Sequence, residues 1–370
     1  MRKITLIALL IVCCFGGAAF AQEATPQFCG TLAQDDCAIL QKSQQAMAGL
    51  DSASFAAQVD ITVSNVPDLK GPLTINITGS GSYGGMGKLR DDMTSAATTA
   101  ATDPSQLIVK LLTDLDADFS ITFNLSPEAM QQLGVQMRDS SITVQERLVD
   151  GIGYLNLDTL QALMGSGGSS LKGWYGLDLA NLVKAAIQQM PQMFNNSMGN
   201  MGMMQDYQKA FSDPDFMNRF VKIERSDDGS TSTATFDITL NLGTLMGSPE
   251  FQSMMRQQMQ TQNPSMSDDA MNQAMAMESQ MFKGIDVKLS EDISSDDGYV
   301  QSIKGNFSFD STGMMATMNN PSSASASATP KFSIDFTYTY SNFNDAPTIT
   351  APPNAIIIPY QSLLRPSVSA

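Results

Sequence analysis

The sequence predicts an α+β fold: a single strongly curved antiparallel β-sheet, a half-barrel of about ten strands, closed over by α-helices. Three observations carry this expectation. Segment after segment alternates apolar and polar residues with period two, the signature of strands with one dry face and one wet face. Three other stretches, 31–50, 179–218 and 248–282, carry helical spacing and are available to cover the dry face. No linker divides the chain, so residues 22–370 read as one domain.

Thr31 to Leu50 is expected to be helical, with Leu32, Ile39, Leu40, Met47 and Leu50 on one face and Asp35 and Asp36 near its start. Phe55, Ala57, Val59, Ile61 and Val63 then alternate with polar or small neighbours as a long strand, and Leu73, Ile75 and Ile77 repeat the pattern before Gly79-Ser80-Gly81. A short helix is expected over Asp103 to Leu112, a strand through Phe119, Ile121, Phe123 and Leu125, and a second short helix from Ser126-Pro127-Glu128. Ile142, Val144 and Gly151 to Leu157 form two strands around Asp150-Gly151, a hairpin turn. A Gly/Ser-rich loop, 165–170, precedes Trp174 and Tyr175.

From Leu179 to about Phe220 the pattern is helical and methionine-rich. Phe220 to Glu224 and Thr235 to Leu242 flank the turn signal Asp227-Asp228-Gly229. The second methionine-rich stretch runs from Ser248 to Phe282 and breaks at Asn263-Pro264. Ile285, Val287 and Leu289 pair with Ile303, Phe307 and Phe309 across Asp296-Asp297-Gly298. After a Ser/Ala-rich loop at 322–328, Phe332, Ile334, Phe336, Tyr338 and Tyr340 make the clearest strand, and the tail beyond Pro347 is extended and proline-rich.

Composition narrows function. The 370 residues contain 21 Lys and Arg against 37 Asp and Glu, no histidine, and 26 methionines. Without histidine there is no Ser-His-Asp or Cys-His nucleophile and no His-ligated metal. A net charge of −16 argues against a nucleic-acid partner, which needs clustered basic residues. No catalytic set, cofactor or metal site is assigned, and the chain reads as a non-enzyme. Asp227-Asp228, Asp268-Asp269 and Asp296-Asp297 sit at turns or helix starts, where acids serve local hydrogen bonding. Asn76, Asn124, Asn195 and Asn306 match the N-glycosylation pattern at the rate an Asn- and Ser-rich chain produces.

Met1 to Ala21 reads as a cleaved signal peptide: Arg2 and Lys3, an apolar run from Ile4 to Phe15, and Ala19-Phe20-Ala21 as the cleavage site. The protein is therefore expected to be exported, to the periplasm or the cell surface and beyond. Cys13 and Cys14 lie in the leader but lack the small residues that lipid attachment needs before the cysteine. Loss of Arg2 and Lys3 takes the net charge from −16 to −18. Cys29 and Cys37 remain, an even pair in an exported chain and so a disulfide.

At this point the layout resembles the LolA-like half-barrel proteins of bacterial envelopes, in particular the LppX/LprG-type lipoprotein family. The resemblance rests on a helix leading straight into a long strand (Leu32 to Leu50, then Phe55 to Val63). It rests also on Gly151-Ile152-Gly153-Tyr154-Leu155 with Gly173-Trp174-Tyr175, and on successive hairpins after a helical middle. The last element is Tyr338-Thr339-Tyr340-Ser341-Asn342-Phe343-Asn344 running into Pro347-Thr348-Ile349-Thr350-Ala351-Pro352. The resemblance implies that a lipid's acyl chains lie between the curved sheet and the helices, carried across an aqueous space, with transient contact to an envelope membrane or an acceptor protein. Phe119, Ile121, Phe123, Phe332, Phe336 and Tyr338 would be the sheet wall, and Met255, Met259, Met271 and Met275 the adaptable helical lid.

The methionines admit other readings. Sixteen of the 26 fall between Met190 and Met281, and the four-residue spacings Met255/Met259, Met271/Met275 and Met277/Met281 suit ordinary helix packing. That leaves a surface or structural protein with a filled core as one alternative. The cluster Met198, Met201, Met203 and Met204 makes thioether Cu(I) binding another.

Overall fold

The computed structural model describes residues 29–65, 71–91, 104–133, 140–160, 172–189, 214–227, 229, 232–263, 265–282, 285–310 and 331–364. The leader, the loop at 165–170, the Met198–Met204 cluster, Asn195 and the 322–328 loop lie outside these residues.

The chain is α+β, with one open, mostly antiparallel sheet of twelve strands. The strands are β1 (Ala53–Ser64), β2 (Leu73–Gly84), β3 (Asp116–Leu125), β4 (Ser141–Val149), β5 (Ile152–Asn156), β6 (Trp174–Asp178), β7 (Val221–Arg225), β8 (Thr233–Asn241), β9 (Asp286–Ser294), β10 (Val300–Asp310), β11 (Lys331–Ser341) and β12 (Ile356–Ile358). Their order is β12-β6-β5-β4-β3-β2-β1-β11-β10-β9-β8-β7, so β1 sits in the middle and nearly all neighbours are hairpin partners. The closing exception is β11, which returns to pair with β1 from Ser54↔Ser341 to Ser64↔Lys331. Among the described residues the only parallel pair is β12 on β6.

The described residues form twelve strands where about ten are expected, and the two that the alternation does not mark lie at one edge. Trp174–Asp178 is five residues long with a glycine at its centre. Ile356–Ile358 is an unalternating triplet that becomes a strand only because the tail crosses to the far edge and pairs with Tyr175–Leu177. On the way, the Thr350 carbonyl accepts from Arg147, whose guanidinium also pairs with Asp118 at 2.9 Å and lies 5.3 Å from the centre of the Trp174 ring.

The described helices are α1 (Gln34–Ala48), α2 (Pro104–Asp114), α3 (Pro127–Leu133), α4 (Leu179–Gln189), α5 (Pro214–Met217), α6 (Leu242–Met246), α7 (Pro249–Gln262), α8 (Asp268–Phe282) and α9 (Gln361–Leu364). Local chemistry sets their ends. Ser248 accepts from the Phe251 amide ahead of Pro249, the capping arrangement expected at a helix start. α7 stops at Asn263, and α8 restarts at Asp268, as the Asn-Pro break predicts.

These helices flank the sheet. Leu40 of α1, with Leu32, Ile39 and Met47 beside it, packs on Ile223, Ala234, Phe236, Ile293 and Val300, so α1 covers β7 to β10. Lys42 fastens α1 to the β9–β10 turn through the carbonyls of Ser295 and Asp296. On the other flank α2 and α4 pack together, and Leu179 lies so close over Gly153 of β5 that a Cβ there would sit 2.6 Å from it. α6, α7 and α8 pack on one another near the end of β8 and β9.

Cys29 and Cys37 stand at disulfide distance, with Cα atoms 5.4 Å apart, tying the approach segment to α1. Replacing both with serine is expected to cost about 2 kcal/mol, the loop-closure value for so short a ring. Urea unfolding of the variant beside the oxidised parent measures it; equal midpoints would mean that the bond does not constrain the unfolded chain.

Candidate functional site

Register alone brings one face of the sheet together. Because antiparallel partners point to the same side, the pairs define rows across the strands. One row runs Phe123, Ile77, Val59, Phe336, Gly305, Leu289, Ile238; the next runs Val144, Ile121, Gly79, Ala57, Tyr338, Ile303, Glu291, Phe236. A third passes through Glu146, Phe119, Gly81, Phe55 and Tyr340. The opposite face is polar and cross-linked: Asn124 donates to Asn76 and Asn76 to Asp60, while Thr122 meets Thr143 and Ser54 meets Ser82.

Burial along the apolar face is uneven. Under α1 it is deepest: Ala234, Phe236 and Ile293 are wholly shielded, with Ile238 and Ile303 half-buried beside them. In the middle, over β11, β1, β2 and β3, Phe55, Val59, Ile61, Ile75, Ile77, Phe119, Phe123, Ile334 and Phe336 are only half-buried. Gly79 and Gly81 remove two side chains from this floor. A Cβ at Gly81 would strike the Asp118 carbonyl and Phe119, so β2 and β3 approach closely there. The result is a half-open apolar floor between two helical flanks.

Of the predicted wall residues, Phe119, Ile121, Phe123, Phe332, Phe336 and Tyr338 all occupy this one face, and the rows place Phe123 with Phe336 and Ile121 with Tyr338. Ile121 is buried; the other five are half-buried. The predicted lid is placed differently. Met271 and Met275 are buried on α8, which packs on α6 and α7; Met255 and Met259 of α7 are half-buried.

The wall also holds polar groups that the alternation analysis passed over. Glu146 on β4 and Glu291 on β9 point to the apolar face, each half-buried, and burial pushes both carboxyls up from their usual range. Among the described residues neither has a hydrogen-bond or ion-pair partner. Tyr83 and Tyr340 lie on the same face: burial, with Tyr340 nearby, pushes the Tyr83 phenol up to about 12, and Tyr340 is raised by burial and by Tyr338 and Glu291. A signal was present in the sequence: Ile142, Val144, Glu146, Leu148 and Val287, Leu289, Glu291, Ile293 each put a glutamate where the alternation demands an apolar residue.

Among the described residues no group of three or more Cys, Asp or Glu side chains could hold a metal ion, and no helix is long and apolar enough to cross a membrane. The Met198–Met204 thioether cluster lies outside those residues. Neither a family model nor a curated protein matches the chain.

Proposed function

We propose that the chain is an exported, non-enzymatic carrier that binds a lipid acyl chain, or an apolar molecule of similar size, on the half-open face of the sheet. In this reading the sheet curves into a half-barrel of the LolA/LppX type, with the floor of β11, β1, β2 and β3 as the ligand bed. α1 on one side and the α2–α4 pair on the other are its banks. One observation supports it above the rest: the apolar face runs across the sheet, interrupted by Glu146 and Glu291, yet most of its middle stays half exposed while Ala234, Phe236 and Ile293 under α1 are wholly shielded. A wall filled by the protein's own side chains would bury Phe55, Val59, Ile77 and Phe336 as completely as Phe236. Each ligand methylene moved from water onto such a floor is worth about 0.8 kcal/mol, so a long chain is held without any charged contact.

Lipid mass spectrometry of the protein purified from its native host tests the reading, together with uptake of the uncharged dye N-phenyl-1-naphthylamine. Co-purifying lipid and saturable dye binding are expected, with Phe336→Ser weakening the dye about tenfold, the loss that follows from removing one aromatic contact. Absence of both lipid and dye binding would sink the carrier.

A further inference from the structure

We infer that this face selects an amphiphile whose head group donates hydrogen bonds, a hydroxyl or an ammonium, over one with an anionic head, and that the carboxylate at one bank or the other, Glu146 or Glu291, receives it. The inference rests on the proposed carrier reading and adds the chemistry of the ligand's head. Its ground is position. Glu291 is the row neighbour of Phe236 and Ile303, at the edge of the patch that α1 covers. Glu146 is the row neighbour of Phe119 and Leu155, beside the β5 flank where Leu179 closes over Gly153. Each carboxylate therefore stands where a covered bank meets the open floor. Five strands lie between them, about 29 Å along the sheet at ordinary strand spacing.

A carboxylate on an apolar surface is costly unless something donates to it, and buried polar groups in folded proteins are almost always paired. Here the described residues supply no donor to either one. Burial raises both carboxyls, which is the state a donor head would relieve and an anionic head would worsen.

The test compares heads on one chain length. Hexadecanol, hexadecylamine and palmitate compete against N-phenyl-1-naphthylamine on the mature protein at about pH 8, where palmitate in water is ionised. The alcohol and the amine are expected to displace the dye at concentrations about tenfold below palmitate, the value of one charge-assisted hydrogen bond. In Glu146→Gln/Glu291→Gln the amine should lose that advantage, while thermal unfolding shows that the fold is kept; the single variants serve if the double variant does not fold. Palmitate competing as well as the other two, or an amine preference that survives both replacements, overturns the inference and leaves the carrier standing. If none of the three displaces the dye, or the dye does not bind, the carrier reading fails and the inference falls with it.

Discussion

Phe236→Ala is expected to lower the unfolding free energy by about 4 kcal/mol, the range for emptying an aromatic site in a core that relaxes only partly. Phe236 has no exposed surface and sits among Leu40, Ile223, Ala234 and Ile293, where α1 meets β8 and β9. Those neighbours are held from outside the patch. Lys42 ties α1 to the β9–β10 turn, and the Cys29–Cys37 pair shortens its approach, so they cannot collapse into the space. Phe336→Ala is the matched control. The same side chain is removed from the same face, but at a half-buried site, so the expected loss is about 1 kcal/mol, in proportion to the smaller area withdrawn from water. The two variants should differ in the opposite sense toward an apolar dye, with Phe336→Ala weakening uptake and Phe236→Ala, below its melting temperature, leaving it close to the parent. Urea unfolding and dye titration on both proteins check this. Equal stability losses would mean that the floor is core, and the distinction on which the carrier rests would go.

That distinction was only half legible in the sequence. Alternation identifies which side of each strand is dry, because side-chain direction has period two regardless of what lies opposite. It therefore places Phe119, Phe123, Phe332, Phe336 and Tyr338 on a common face before any pairing is known. It says nothing about cover. Phe236 and Phe336 occupy the same phase of near-identical strands, and only the path of α1 buries one and spares the other. The methionine helices show the same limit: spacing of four puts Met271 and Met275 on one side of α8, but does not say that they are buried or that α8 packs on α6 and α7. β12 was invisible for a further reason. Three successive isoleucines carry no period, and their partner, β6, lies some 180 residues back along the chain, so the pairing is wholly non-local. Glu146 and Glu291 were legible and passed over, since a pattern read for its apolar majority discards the exceptions that carry chemistry.

Between neutral pH and acid, stability is expected to rise and then fall, and two sets of carboxyls set the two limbs. Glu146 and Glu291 have folded-state affinities for the proton above their unfolded values because burial disfavours the charge. The folded protein therefore binds more protons than the unfolded one as the pH drops toward the ordinary glutamate range, and that limb stabilises. Asp227 works in the opposite direction. It accepts from the Arg225 guanidinium at 2.9 Å through both its oxygens, and from the Gly229 and Thr235 amides at 2.8 Å, and these bonds hold its carboxyl well below the usual range. Its contribution is complete above its ordinary value of 3.8 and is lost as the pH falls through the folded value. Arg225 also reaches Asp36 at 2.8 Å, so the same guanidinium joins the β7–β8 turn to the first turn of α1, and Asp227 is the partner that orients it. Asp227→Ala leaves a guanidinium that is about three-quarters buried with one carboxylate instead of two, and is expected to cost about 3 kcal/mol at neutral pH. That loss should shrink below the pH at which Asp227 would have been protonated in the parent. Glu146→Gln/Glu291→Gln should do the reverse, raising the melting temperature above neutral pH and flattening the upper limb while the acid limb stays in place. Melting curves for the parent and both variants from mild alkali to strong acid separate the contributions. An acid limb that persists unchanged in Asp227→Ala would place the acid-sensitive joint somewhere other than the seat of α1.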